Sequence, residues 1–151
     1  MKRVCVLLSF LVLPILAVPA LAQSVTTLPP MSVITFEPGT TQTKMNGQMV
    51  PGGRDLYYVL AKAGQTLNVS VASAAAGIAF QVYVPDTVVA RGADGSPLIQ
   101  GKTLPNAGAA DNAQAWIGAI PRDGNYLITV GAADSGGPTV LTPYTLTVSL
   151  Q

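Results

Sequence analysis

Four stretches of this chain alternate apolar with other side chains at a period of two, and that period restricts the possible folds more than any other feature. Leu67, Val69 and Val71 alternate with Asn68, Ser70 and Ala72, and Ile78, Phe80, Val82 and Val84 alternate with Ala79, Gln81 and Tyr83. Tyr126, Ile128 and Val130 alternate with Asn125, Leu127 and Thr129, and Tyr144, Leu146, Val148 and Leu150 with Thr145, Thr147 and Ser149. Successive side chains of a strand point to opposite faces, so each stretch reads as a strand with one row in a core and the next toward water. Residues 56–61 and 115–120 are apolar on both faces, as expected of central strands or strands shielded by a loop. No stretch keeps helical periodicity over the length a helix needs.

Turn-forming residues separate these runs: Pro51-Gly52-Gly53, Ala63-Gly64, Pro85-Asp86, Asp94-Gly95, Asp123-Gly124 and the segments 106–112 and 134–138. Gly supplies positive φ, Pro a fixed φ, and Asp or Asn local side-chain hydrogen bonds. Asn46-Gly47 reads either as a tight hairpin or as a bulge in one strand over 43–50. Either count gives about eight strands at sandwich-like spacing. The expectation is an all-β, two-sheet antiparallel β-sandwich forming a single domain over 33–151, preceded by a flexible, proline-bearing segment over 23–32.

The first 22 residues read as a signal peptide. Lys2 and Arg3 open it, an apolar run follows, and Ala20-Leu21-Ala22 offers a cleavage site after Ala22. The protein is therefore expected in the periplasm or secreted. Cys5, the single cysteine, lies within that leader and ahead of its apolar run, so neither a disulfide nor a lipid-modified membrane anchor is expected. Losing Lys2 and Arg3 leaves six basic residues against seven acidic ones, a net charge of about −1. With no basic stripe interleaved with aromatics, nucleic acid is not an expected partner.

The chain contains no histidine, which removes serine triads, cysteine–histidine pairs and imidazole metal sites from consideration. Glu37 is the single glutamate, and the six aspartates mostly neighbour Gly, Pro or Asn in turn-like sequence, a poor basis for a two-carboxylate glycosidase. Asp86, Asp94, Asp111 and Asp134 are loop oxygen donors whose spacing matches no calcium loop. A non-catalytic protein without metal or cofactor is expected.

Three segments together resemble a known family. Tyr58-Val59-Leu60-Ala61-Lys62-Ala63-Gly64-Gln65-Thr66-Leu67 is similar to its tyrosine-bearing strand running into a Gly-Gln turn. Gly124-Asn125-Tyr126-Leu127-Ile128-Thr129-Val130 is similar to its glycine-x-tyrosine strand, and Tyr144-Thr145-Leu146-Thr147-Val148 to its closing strand. The family is the bacterial pre-peptidase C-terminal domain, a jelly-roll-like β-sandwich, and the similarity spans roughly 36–150. Standing alone, the chain also resembles the small periplasmic inhibitors of g-type lysozyme. That resemblance implies a loop entering the lysozyme cleft through a Ser-Gly-x-Tyr-like element, here Asp123-Gly124-Asn125-Tyr126 with aspartate in place of serine.

The partner-binding residues so implied are Arg122, Asp123, Gly124, Asn125 and Tyr126. A structural reading of the same residues is a tight turn, with Tyr126 in the core in phase with Ile128 and Val130. The expected partner is a lysozyme or another envelope protein. The alternative is an envelope or surface module binding glycan or an exported protein, with Trp116 as the sugar-stacking candidate. Trp116 otherwise fills space between sheets in a row with Gly118 and Ile120. Tyr57 and Tyr58 point to opposite strand faces. Lacking histidine, the protein has no side chain that ordinarily titrates between pH 5 and 8. Its affinity for a partner that is itself insensitive to pH should therefore stay flat over that range in a calorimetric titration.

Overall fold

The computed structural model describes residues 31–133 and 140–151. The expected leader with its cleavage point, residues 23–30 and Asp134 lie outside the described residues. Ten strands are described: β1 (Met31–Val33), β2 (Gln42–Met49), β3 (Arg54–Ala61), β4 (Thr66–Ser73), β5 (Ile78–Tyr83), β6 (Val88–Arg91), β7 (Pro97–Gln100), β8 (Ala115–Ala119), β9 (Gly124–Ala132) and β10 (Thr142–Leu150). One four-stranded sheet has the order β1-β3-β9-β5, the other β2-β10-β4-β8, and β6 and β7 form a separate ribbon. The about eight strands expected correspond in number to the two principal sheets, and the ribbon brings the total to ten. All pairings are antiparallel except β1 with β3. From β2 to β5 each connection crosses from one sheet to the other, a jelly-roll-like winding. Among the described residues no helix is long and apolar enough to cross a membrane.

The inward rows anticipated from the alternation fill the space between the sheets. Leu67, Val69 and Val71 meet Phe80, Val82, Tyr126, Ile128, Val130, Leu146 and Val148 in one continuous core. Strand pairing already begins at Met31, two residues ahead of Val33. Three details depart from the pattern reading. Tyr83, Leu127 and Thr129 fall in the water-facing rows of their strands by alternation, yet all three are buried. The β6–β7 ribbon lies over that outer face, where Val89 and Ile99 pack with Tyr58 on Leu56, Tyr83 and Leu127. The ribbon also explains the two-sided apolar character of β3. Strand β8 is neither central nor shielded. It ends its sheet, and Ile117 is 66% exposed.

Asn46-Gly47 makes neither a hairpin nor a bulge. The β2–β10 register runs without offset from Met49 opposite Thr142 to Gln42 opposite Ser149. Gly47 stands opposite Tyr144, and a Cβ there would coincide with the Tyr144 ring. The glycine is thus required by close packing, not by a turn.

That ring carries a polar clasp between the sheets. Tyr144 Oη on β10 donates to Asp55 Oδ2 on β3. Its one proton so engaged, Tyr144 accepts from Tyr57 Oη at 2.6 Å. Burial first, then the bond to Asp55, pushes the Tyr144 phenol far above its ordinary range, and burial also raises Tyr57. Because the folded state holds these protons more tightly than the unfolded chain, this contribution to stability is complete below the ordinary tyrosine pKa of 10.0 and falls as pH rises beyond it. Urea midpoints at about pH 9 and about pH 11 should therefore differ, and Tyr144→Phe should shrink the difference while lowering stability at neutral pH by about 1–3 kcal/mol.

Candidate functional site

Three turns meet at one end of the sandwich: 62–65 between β3 and β4, 84–87 between β5 and β6, and 120–123 between β8 and β9, with Gly124 and Asn125 already paired to Ala61 and Leu60 of β3 instead of continuing the turn. The first is closed by Gln65 N–H donating to the Lys62 carbonyl at 3.1 Å and by Lys62 N–H donating to Gln65 Oε1 at 2.7 Å. It is joined to the third by Gly64 N–H donating to the Ile120 carbonyl at 2.9 Å and Ile120 N–H donating to the Gln65 carbonyl at 2.8 Å.

The five residues singled out from the sequence have distinct positions in this assembly. Asp123 Oδ1 accepts the Ala63 N–H at 2.8 Å, so the carboxylate that replaces serine ties two turns together. Arg122 reaches the other way. Its Nη2 donates to the Pro85 carbonyl at 2.6 Å and pairs with Asp86 Oδ2 at 2.7 Å. The Arg122 side chain is 51% exposed and that of Asp86 79%, so this pair adds at most about 1 kcal/mol and serves chiefly to orient the guanidinium. Asp86 has φ +75°, a left-handed conformation that Asp tolerates better than most residues.

Gly124 has φ +149°, and a Cβ on it would lie 2.6 Å from Pro85 Cγ, so both backbone and space call for glycine. Tyr126 is fully buried, as its phase with Ile128 and Val130 required, and its hydroxyl donates to the Arg122 carbonyl at 2.8 Å. Asn125 is exposed and faces solvent. The turn is thus held by the side chains of Arg122, Asp123 and Tyr126, while Asn125 at the start of β9 and the outer part of Arg122 remain presentable. Beside Arg122 an open depression of about 250 Å³ is lined by Val84, Pro85, Thr87 and Lys102 among others.

Sequence reading missed Ala63, Pro85 and Asp86 as partners of this loop. Gly64-Gln65 and Pro85-Asp86 were legible as turns, but nothing in their own sequence says which turn they touch.

The remaining candidates are positioned elsewhere. Trp116 is half-buried against the edge of the core, donates its indole N–H to the Pro105 carbonyl at 2.8 Å, and lies over Gly118. Asp94 accepts from the Ser96 N–H at 3.0 Å and Oγ at 2.6 Å, bonds that hold its carboxyl below the usual range. Asp111 accepts from the Gly108 N–H at 2.7 Å. Among the described residues no three acidic, histidine or cysteine side chains gather in one place.

No family model matches the chain, and no curated protein does. Solved structures do. Aeromonas hydrophila PliG, a periplasmic inhibitor of g-type lysozyme, aligns with TM-score 0.58 and 24% identity over 80% of this chain and 96% of its own. This chain shares the fold of that inhibitor. Salmonella Typhimurium PliG, also a periplasmic inhibitor of g-type lysozyme, aligns with TM-score 0.56 and 14% identity over 82% of this chain and 99% of its own. The pre-peptidase C-terminal domain of a Bacillus anthracis collagenase aligns at TM-score 0.46 and 15% identity over 80% and 95%.

The tightness at Gly124 is open to test. Gly124→Ala should lower unfolding free energy by about 1–3 kcal/mol through strain and the Pro85 collision. Asn125→Ala should change it by less than about 0.5 kcal/mol. Denaturant titration of both variants compares them directly.

Proposed function

We propose that this protein is an exported, non-catalytic inhibitor of a g-type lysozyme, which it blocks by inserting the 122–125 segment, the end of the β8–β9 turn and the start of β9, into the enzyme's cleft. The observation that carries this reading is the pre-formed turn, cross-bonded to both neighbouring turns on a fold shared with solved inhibitors of such enzymes. A loop already fixed in its bound shape loses little conformational entropy on docking. The charge at this end also suits an acidic glycosidase cleft. Asp123 is engaged by a backbone amide and Asp86 by Arg122, while Lys62 is exposed and Lys102 lines the depression beside Arg122. Arg122, Lys62 and Lys102 set against Asp86 and Asp123 leave this end with a net charge of about +1, which favours encounter and register with carboxylates.

In this reading Arg122 and Asn125 contact the enzyme, Asp123 and Tyr126 fix the turn, and Gly124 allows its close approach to Pro85. The glycan-binding alternative has less support, because the Trp116 indole N–H is already donated to Pro105 and part of the ring is packed on the core edge.

Cell-wall lysis by goose-type, chicken-type and invertebrate lysozymes, each with added protein, tests the proposal. Inhibition of the goose-type enzyme is expected, and failure to inhibit any of the three at micromolar concentration refutes it. Arg122→Ala should weaken inhibition by about 10- to 100-fold, the range of an interface hot spot, and loss of its bond to the Pro85 carbonyl should lower unfolding free energy by about 1 kcal/mol.

A further inference from the structure

The outer edge of β8 is unlike those of β5 and β2. The free edge of β5 is bonded by the following chain: Val84 N–H donates to the Lys102 carbonyl at 2.9 Å, Leu104 N–H to the Val82 carbonyl at 2.8 Å, and Phe80 N–H to the Ala113 carbonyl at 2.9 Å. β2 turns Gln42, Lys44, Asn46 and Gln48 to its own edge, because Leu150 N–H donates to the Thr41 carbonyl and fixes the odd-numbered residues toward β10. A lysine and amides at an edge discourage strand addition.

Among the described residues β8 has no such protection. Val71 N–H donates to the Gln114 carbonyl and Ile120 N–H to the Gln65 carbonyl, each at 2.8 Å, so Gln114, Trp116, Gly118 and Ile120 turn their amides toward β4. Thr66 exchanges both its backbone bonds with Gln151, at 2.7 and 3.0 Å, which fixes the same parity independently. The amides and carbonyls of Ala115, Ile117 and Ala119 therefore face outward. This strand has no charged residue, no proline and no register break, and Ile117 is 66% exposed.

We propose that β8 is a self-association edge, on which a second copy of this chain lays its own β8 antiparallel about a two-fold axis through Ile117. The outward residues are symmetric about that position. Ala115 of each copy meets Ala119 of the other, Ile117 meets Ile117, and about six N–H···O bonds close. The two alanines permit close approach, the isoleucines form an apolar cross-strand pair, and no like charges are opposed. Pro121, without an N–H, ends the pairing before the 122–125 segment, which stays outside the interface. The two four-stranded sheets become one of eight strands, with the turns at opposite ends.

Size-exclusion chromatography with light scattering tests this on the purified protein from micromolar to sub-millimolar loading. Twice the single-chain mass is expected at the upper end, falling on dilution. Ile117→Pro removes an outward N–H that the β4 ladder does not use, and Ile117→Lys sets two ammonium groups face to face; both should give single-chain mass with an unchanged circular dichroism spectrum. Hydrogen exchange should show the Ala115, Ile117 and Ala119 amides gaining protection with concentration, and those of Trp116 and Gly118 protected throughout. A single-chain mass over the whole range overturns the proposal, as does a dimer that survives both substitutions or that protects β2 amides instead. Lysozyme inhibition is a separate readout, so loss of one finding leaves the other standing.

Discussion

Burial of β9 on both faces is the constraint on which the rest of the molecule depends. Tyr126, Leu127, Ile128, Thr129 and Val130 are all buried, although a strand has only two faces and one is ordinarily wet. Tyr126, Ile128 and Val130 enter the space between the sheets, while Leu127 lies under the β6–β7 ribbon. A slip of one residue against β3 or β5 would send Leu127 and Thr129 into the main core and Tyr126 out of it, so the register is strongly specified. The fixed register in turn brings the Tyr126 hydroxyl to the Arg122 carbonyl and the Gly124 backbone against Pro85. Order in the candidate site is thus inherited from the packing of one central strand.

The same economy of means appears elsewhere. No cysteine is available in the described residues to cross-link the sheets, and the Tyr57, Tyr144 and Asp55 hydroxyl and carboxylate groups join them instead. Among the described residues no buried side-chain nitrogen or oxygen lacks a hydrogen-bond partner. A satisfied polar clasp inside an apolar core gives directionality that dispersion alone does not. It suits a domain that would act by presenting a stiff turn, since compliance in the scaffold would return as ordering cost on binding.

The strands around residues 67–71, 78–84, 126–130 and 144–150 were legible because each buries one row against the opposite sheet, and a period of two records that directly. The ribbon was not. Val88, Val89, Leu98 and Ile99 lie in runs of four residues on either side of Asp94-Gly95, too short for periodicity to distinguish a strand from a loop. Without it, the burial of Tyr83 and Leu127 could not be foreseen. Gly47 misled for a related reason: Asn-Gly is a turn signal, but here the Tyr144 ring lies where its side chain would be. In the site, Gly124 and Tyr126 were legible as turn and core. The bonds of Asp123 to Ala63 and Arg122 to Pro85 join residues 60 and 37 positions apart, and no local pattern encodes them.

Alternation, turn chemistry and the lack of histidine determined by themselves that this chain builds paired sheets and offers no imidazole for catalysis, because those properties are set residue by residue. Which strand ends a sheet, which turn braces which, and which face a ribbon covers were decided only in three dimensions. Those outcomes depend on contacts between segments far apart in the chain, whose partners are selected by packing and closure of the whole sandwich.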